Sequence, residues 1–260
     1  MTFRARLATA KALWRSVRVY HLDRGHHRAM DALYRTFVPP GGLVFDIGAH
    51  VGDRVSSFRR LGARVVALEP QAGPAAIIRL LHGRDGGVVL RRAAAGPAPG
   101  ELLLYVNTRN PTVSTASPDF IAAADGAGGW EGQLWDERIT VPVVTLDGLA
   151  AEYGSPDFVK IDVEGYEDKV LEGLSRPVPG LSFEFTTIAR DVVARCVAQI
   201  DRLGAYRFNV ALGETQQLVF AEPIDGAALL AYVEGLPHEA NSGDVYAILS
   251  PAGEASGSVP

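Results

Sequence analysis

The run from Leu43 to Pro70, LVFDIGAHVGDRVSSFRRLGARVVALEP, constrains this chain more than any other stretch. Leu43–Ile47 is the short unbroken apolar run of a strand buried on both faces. Gly48 and Gly52 bracket a turn where the backbone must bend sharply with no Cβ in the way. Val51, Val55, Phe58 and Leu61 recur at helical spacing, and Gly62 ends that helix. Arg64–Leu68 reads as the next strand. Glu69 stands at its tip, about 20 residues beyond the first glycine, where a nucleotide-binding βαβ unit carries its ribose-binding carboxylate.

The glycine spacing, Gly48-Ala-His-Val-Gly52, is not G-x-G-x-x-G, and Asp46 ends the first strand. A carboxylate there repels a pyrophosphate in a partly desolvated turn. It suits a ligand with an adenosine ribose, no phosphate and a cationic end, a description that S-adenosylmethionine meets with its ammonium and sulfonium. The plain alternative is an α/β unit with an ordinary tight turn and a solvent-exposed Glu69.

At 260 residues and 47% hydrophobic content the chain can bury a full core. A net charge of −5 and a pI of about 5.7 argue against a nucleic-acid binder held by phosphate contacts. Cys196 is the single cysteine, which excludes an intrachain disulfide and a cysteine-based zinc site. No run approaches the roughly 18 apolar residues of a membrane span, and no secretory leader is seen, so a cytoplasmic protein is expected.

Residues 1–40 read as a helical extension. Arg4, Arg6, Lys11, Arg15, Arg18, Arg24 and Arg28 face one acid, Asp23, while Phe3, Leu7, Ala10, Trp14 and Val17 mark an apolar face. Such a helix packs across a sheet edge, or serves as a dimer contact, a lid or a membrane-surface helix. A second helix is expected over His27–Thr36. Residues 41–250 form the main domain and 251–260 a flexible tail. After Pro70 come a helix over Pro74–His82 and a third strand, Gly87–Leu90, whose small-residue tip leaves room for an adenine near Ala93. Glu101–Val106 suggests an extra strand. Residues 107–138 read as the longest irregular region, an inserted loop with Trp130 and Trp135 near its end that closes over a substrate, the alternatives being disorder or a short packed helix.

Ile139–Leu146 is the next strand. Pro156 to Leu174, PDFVKIDVEGYEDKVLEGL, is the second informative stretch. Lys160 and Asp162 inside a buried strand are costly unless paired. If this fourth strand lies beside the first, Asp46, Lys160 and Asp162 converge at the carboxyl edge, where such sheets bind ligands. The plain reading is a Lys–Asp pair tying two strands together, and both can hold. Leu181–Phe185 follows with Glu184 near its end; Ala205–Val210, Gln217–Phe220 and Val245–Leu249 complete the strands, with an antiparallel terminal pair.

LVFDIGAHVGD…VVALEP and DFVKIDVEGYEDKVLEGL, with VVTLDGL spaced before the latter, resemble the FkbM family of S-adenosylmethionine-dependent methyltransferases. The resemblance covers roughly Leu43 to Phe185, and KIDVEGYE is its specific part. It implies a Rossmann-like class I methyltransferase: α/β, a mostly parallel sheet of about seven strands with an antiparallel terminal hairpin, helices on both faces. It implies methyl transfer to a hydroxyl of a sugar or secondary metabolite. Asp46, Gly48 and Gly52 would hold the amino-acid end of the cofactor, Glu69 the ribose, and Asp162 would sit by the methyl group. Ala49, His50, Pro70 and Ala93 complete the expected cofactor set. His50 replaces the family's common Asn, which retunes the turn or supplies a base; the plain reading is a surface histidine in a turn.

A hydroxyl nucleophile needs a proton acceptor, and the candidates are Asp162 first, then His50, with Glu184 and Glu164 at the same edge. Asp162, Glu164 and Glu184 could also hold a divalent ion, but no metal is the favoured expectation. The rivals are a nicotinamide-dependent oxidoreductase, lacking here both G-x-G-x-x-G and a Tyr-x-x-x-Lys pair, and a non-catalytic partner subunit. The expected partner is a small-molecule or carrier-bound acceptor, and the basic extension suggests an acidic one.

Overall fold

Every residue of Leu43–Ile47 is buried, so this strand (β1) must be covered on both faces, and the rest of the chain does so. The computed structural model describes residues 13–18, 21 and 23–251. The expected features of residues 1–12 and of the tail from 252 lie outside the described residues. β1 pairs in parallel with β2 (Arg64–Leu68) on one side and β7 (Phe158–Ile161) on the other. β3 (Val88–Arg91) continues the parallel sheet beyond β2, and β8 (Gly180–Thr186) beyond β7. β10 (Ser242–Leu249) then inserts antiparallel between β8 and β9 (Tyr206–Leu212), giving seven strands in the order β3-β2-β1-β7-β8-β10-β9. This is the expected Rossmann-like α/β sheet with its antiparallel terminal pair.

Helices α1 (Arg24–Tyr34), α2 (Asp53–Arg60) and α3 (Ala72–His82) are followed by α4 (Pro118–Ala124), α5 (Leu146–Tyr153) and α6 (Glu167–Leu171). α7 (Arg190–Leu203) and α8 (Gly226–Glu234) follow, and residues 13–18 are also helical. Side chains alternate across β1, so Phe45 and Ile47 join one core with Phe183 and Cys196, and Val44 joins the other with Tyr34, Phe58, Phe158 and Tyr246. The second core is held by ring contacts such as Tyr34–Phe58 at 4.6 Å and the Phe37–Tyr246 stack at 4.9 Å.

Four local expectations are corrected. The second helix starts at Arg24 because Asp23 caps it, its Oδ1 accepting the N–H groups of Gly25 (2.7 Å) and His26 (3.1 Å). Trp14, assigned to the apolar face, is 69% exposed, while Ser16 is buried. Residues 217–220 form no strand; only Leu218 bridges to Ala211, so the antiparallel partner of β9 is the distant β10. Residues 107–138 are not irregular throughout. They hold a 3-10 turn at Pro111–Val113, α4 and the start of β6 (Glu137–Val144). β6 leaves the main sheet and forms a three-stranded sheet with β4 (Ala94–Ala95) and β5 (Gly100–Val106).

Candidate active site

The turn after β1 is built by close approach. Gly48 has φ +83°, and a Cβ there would lie 1.8 Å from the carbonyl oxygen of Asp162, so no other residue fits between β1 and the end of β7. Gly48 and Ala49 both donate to Leu68 O (3.0 and 2.9 Å), His50 donates to Glu69 Oε2 (2.9 Å), and Gly52 donates to Ala49 O (2.8 Å). Four amides that could cradle a phosphate are thus engaged inside the protein, unlike the open amide crown of a dinucleotide turn. Gly52 also takes a left-handed conformation, but it backs onto Ile78 of α3 and does not line the cleft.

Asp46 is buried on the α1–α2 side of β1, and its Oδ2 has no hydrogen-bond partner. Burial, reinforced by the charge of Asp53, pushes its carboxyl up to about 7. Arg54 lies close by. Its guanidinium binds Asp53 (2.5 Å) and Glu214 (3.1 and 3.2 Å), and its buried Nε has no partner. At the tip of β2, Glu69 is not the exposed acid of the plain reading. It is 2% exposed, with Oε2 on the His50 amide and Oε1 on the Gln71 amide (2.8 Å), and burial raises it to about 8. His50 takes φ +46°, and burial lowers its imidazole below the ordinary range.

The end of β7 gathers the remaining charges. Lys160, 1% exposed, donates to Asp162 Oδ2 at 3.2 Å as expected, and also to Asp244 Oδ1 of β10 at 2.8 Å, a partner the sequence reading missed. Burial opposes ionisation of Asp162, but Lys160 and Arg54 outweigh it and hold the carboxyl below its usual range. Burial and the neighbouring charge of Asp162 drive Glu164 and Glu184 well above theirs. Glu164 turns the chain at φ +57°, and Glu167 Oε1 accepts the Val163 and Gly165 amides (3.1 and 3.2 Å) to fix the loop.

These groups face one cleft of about 310 Å³. Asp46, Gly48, Ala49, His50, Glu69, Pro70, Ala93, Asp162 and Glu184 all line it, so of the expected set only Gly52 stands outside. Trp130 contributes to the wall, set edge-on to Phe120 at 5.1 Å, and Trp135 ties the region down through Nε1 to Val113 O at 2.8 Å. Arg54, Thr186 and Asn241 line the cleft and were not anticipated. An arginine two residues after a glycine turn carries no local signal of its direction. Asp244 had one, being an acid at the start of an apolar strand.

The FkbM methyltransferase domain matches residues 46–195. No curated protein matches the sequence. Among solved structures, the precorrin-6Y C5,15-methyltransferase of Geobacter metallireducens is 15% identical with a TM-score of 0.44, over 86% of each chain. An O-methyltransferase from Bacillus cereus in complex with SAH is 13% identical with a TM-score of 0.43, over 96% of this chain and 92% of that one. A TehB-like SAM-dependent methyltransferase from Corynebacterium glutamicum is 9% identical with a TM-score of 0.44, over 95% and 98%. The family match carries the assignment, because it takes in more than half of the 260 residues and includes Asp46, Glu69, Asp162 and Glu184. The chain belongs to the FkbM family of S-adenosylmethionine-dependent methyltransferases.

Proposed function

We propose that this protein transfers the methyl group of S-adenosylmethionine to a hydroxyl of a sugar-like or secondary-metabolite acceptor, free or carrier-bound. The observation that carries the reading is Asp46: a buried carboxylate with an unpartnered oxygen, at the head of a turn whose amides are already engaged. That arrangement repels phosphate and attracts a cation, which is the distinction between S-adenosylmethionine and a nicotinamide dinucleotide. Asp46 would take the ammonium, the Arg54 guanidinium the carboxylate, Glu69 the ribose hydroxyls, and the small walls at Pro70 and Ala93 the adenine.

When bound, the cofactor supplies the electrophilic methyl carbon. The chain's own residues orient the acceptor and receive its proton. Asp162 is the anion of the edge at neutral pH, so it is the first candidate to accept that proton, with neutral His50 second. Burial, with the charges of Asp162 and Glu164, pushes the Glu184 carboxyl well above its usual range, which ranks it behind Asp162. The two cations of the cleft, Lys160 and Arg54, are already paired with Asp162, Asp244, Asp53 and Glu214, which supports a neutral polyol over the acidic partner suggested by the basic extension.

Parallel titrations with S-adenosylmethionine, S-adenosylhomocysteine and NAD test the reading. The first two are expected to bind and NAD to fail. Binding that needs ionised Asp46 should tighten about tenfold from about pH 5.5 to about pH 7, because the acid form dominates below its pKa of about 7. Asp46→Asn should remove that pH dependence. NAD binding alone would return the protein to the oxidoreductases.

A further inference from the structure

At the acceptor end of the cleft the charges do not balance. The single charge of Lys160 is shared between Asp244 at 2.8 Å and Asp162 at 3.2 Å. Glu164 and Glu184 stand beside them without a cation: side-chain oxygens of Asp162, Glu164 and Glu184 all lie within 4.8 Å of one another. Glu164 is only 6% exposed, and among the described residues no hydrogen bond or ion pair reaches its carboxylate. Two further buried oxygens lack a hydrogen-bond partner, Glu184 Oε2 and Thr186 Oγ1. Thr186 lies two residues along the same face of β8, is 5% exposed, and lines the same cleft. Buried polar groups without partners are costly, and several lining one cleft beside a cluster of three carboxyl groups point to a missing positive ligand.

We propose that Asp162, Glu164 and Glu184 bind a hard divalent cation of the magnesium, manganese and calcium class, with Thr186 as a neutral oxygen beside it. The proposal rests on the reading of this edge as the place where acceptor meets methyl group. An all-oxygen donor set with no His or Cys selects hard ions over zinc. Oxygens on opposite sides of such an ion are separated by about 4 to 5 Å, which the 4.8 Å limit of the cluster meets. Glu184 stands on β8, and Asp162 and Glu164 follow the end of its parallel neighbour β7 in a turn that Glu167 fixes. Asp244 keeps Lys160 engaged at 2.8 Å, closer than Asp162 at 3.2 Å, and the Asp162 carboxylate also shares a hydrogen bond with Glu184, so the two acids already face each other. A bound cation would also offset the mutual repulsion of Glu164 and Glu184.

The test titrates Mn²⁺ into the metal-stripped whole chain, with and without S-adenosylhomocysteine, and follows free Mn²⁺ by electron paramagnetic resonance. One ion per chain is expected, with affinity weakened at least about tenfold by Glu164→Gln, because affinity follows the number of charged ligands. Glu164→Gln keeps the side-chain volume at a carboxyl that no hydrogen bond or ion pair among the described residues engages, so folding should survive; Mn²⁺ should raise the Tm of the parent more than that of the variant. No uptake at about millimolar Mn²⁺, or uptake indifferent to Glu164→Gln, overturns the proposal. Cofactor binding to the stripped protein is measured separately. Its absence would sink the methyl-transfer reading while the Mn²⁺ result still decides the site.

Discussion

Asp244→Ala is expected to destabilise the protein by about 3–5 kcal/mol, whereas Asp162→Asn should cost about 1 kcal/mol or less. Both carboxylates touch the same ammonium, so the contrast rests on geometry and burial. Lys160 is 1% exposed in the middle of the sheet, and its shorter bond goes to Asp244, whose side chain is 9% exposed, across the intervening strand β8. Removing Asp244 leaves a buried cation with the longer contacts to Asp162 Oδ2 (3.2 Å) and Ile161 O (3.4 Å), and ties β10 less firmly to the parallel half of the sheet. Asp162 is 31% exposed at the cleft rim, and asparagine there still offers Lys160 an oxygen while the Asp244 bond persists. Urea unfolding of the two variants measures the difference. Turnover should divide the other way, with Asp162→Asn losing methyl transfer per folded molecule. Equal destabilisation by the two variants would mean that Asp162 serves the fold as much as Asp244 does, and its place as first candidate for the proton would lapse.

What could be read from the chain was whatever a short segment decides by itself. β1, the glycine turn, α2, β2 and Glu69 follow one another within 27 residues, and each carries its own period or punctuation, so the βαβ unit was legible with its boundaries nearly correct. The carboxyl-edge placement of Asp162 and Glu184 was legible for the same reason, once β7 was set beside β1. What failed was pairing at a distance. β10 reaches β8 across about sixty residues, so nothing local announces that Asp244 will meet Lys160. Gln217–Phe220 has strand composition, yet the position beside β9 is taken by β10, and tertiary pairing overrides propensity. The small β4–β5–β6 sheet was hidden likewise, because a strand's pattern does not say which sheet it joins. Trp14 was placed by helical period alone, and among the described residues beside it Ser16 is the buried one.

Above the Glu69 pKa of about 8, Glu69→Ala is expected to weaken S-adenosylmethionine binding by about 100-fold or more, the equivalent of losing one or two charge-assisted hydrogen bonds at about 1.5–3 kcal/mol each. The loss has two sources. Glu69 would hold the ribose hydroxyls through the lone pairs that face the cleft, and it already fixes the turn by accepting the His50 and Gln71 amides on separate oxygens. The second role makes Glu69→Gln an unforgiving substitution despite its shape. Each carboxyl oxygen can accept an amide hydrogen whether or not the acid is protonated, so a pKa raised to about 8 does not disturb the arrangement. A carboxamide nitrogen cannot accept, and in either orientation it would face the N–H of His50 or of Gln71, donor against donor, in a place that is 2% exposed. Glu69→Gln should therefore bind the cofactor nearly as poorly as Glu69→Ala, with a lowered Tm showing the displaced turn. Calorimetric titration beside thermal unfolding separates the two contributions. If Glu69→Gln binds S-adenosylmethionine as the parent does, the carboxylate neither holds the ribose nor shapes the turn, and the cofactor must be gripped elsewhere in the cleft.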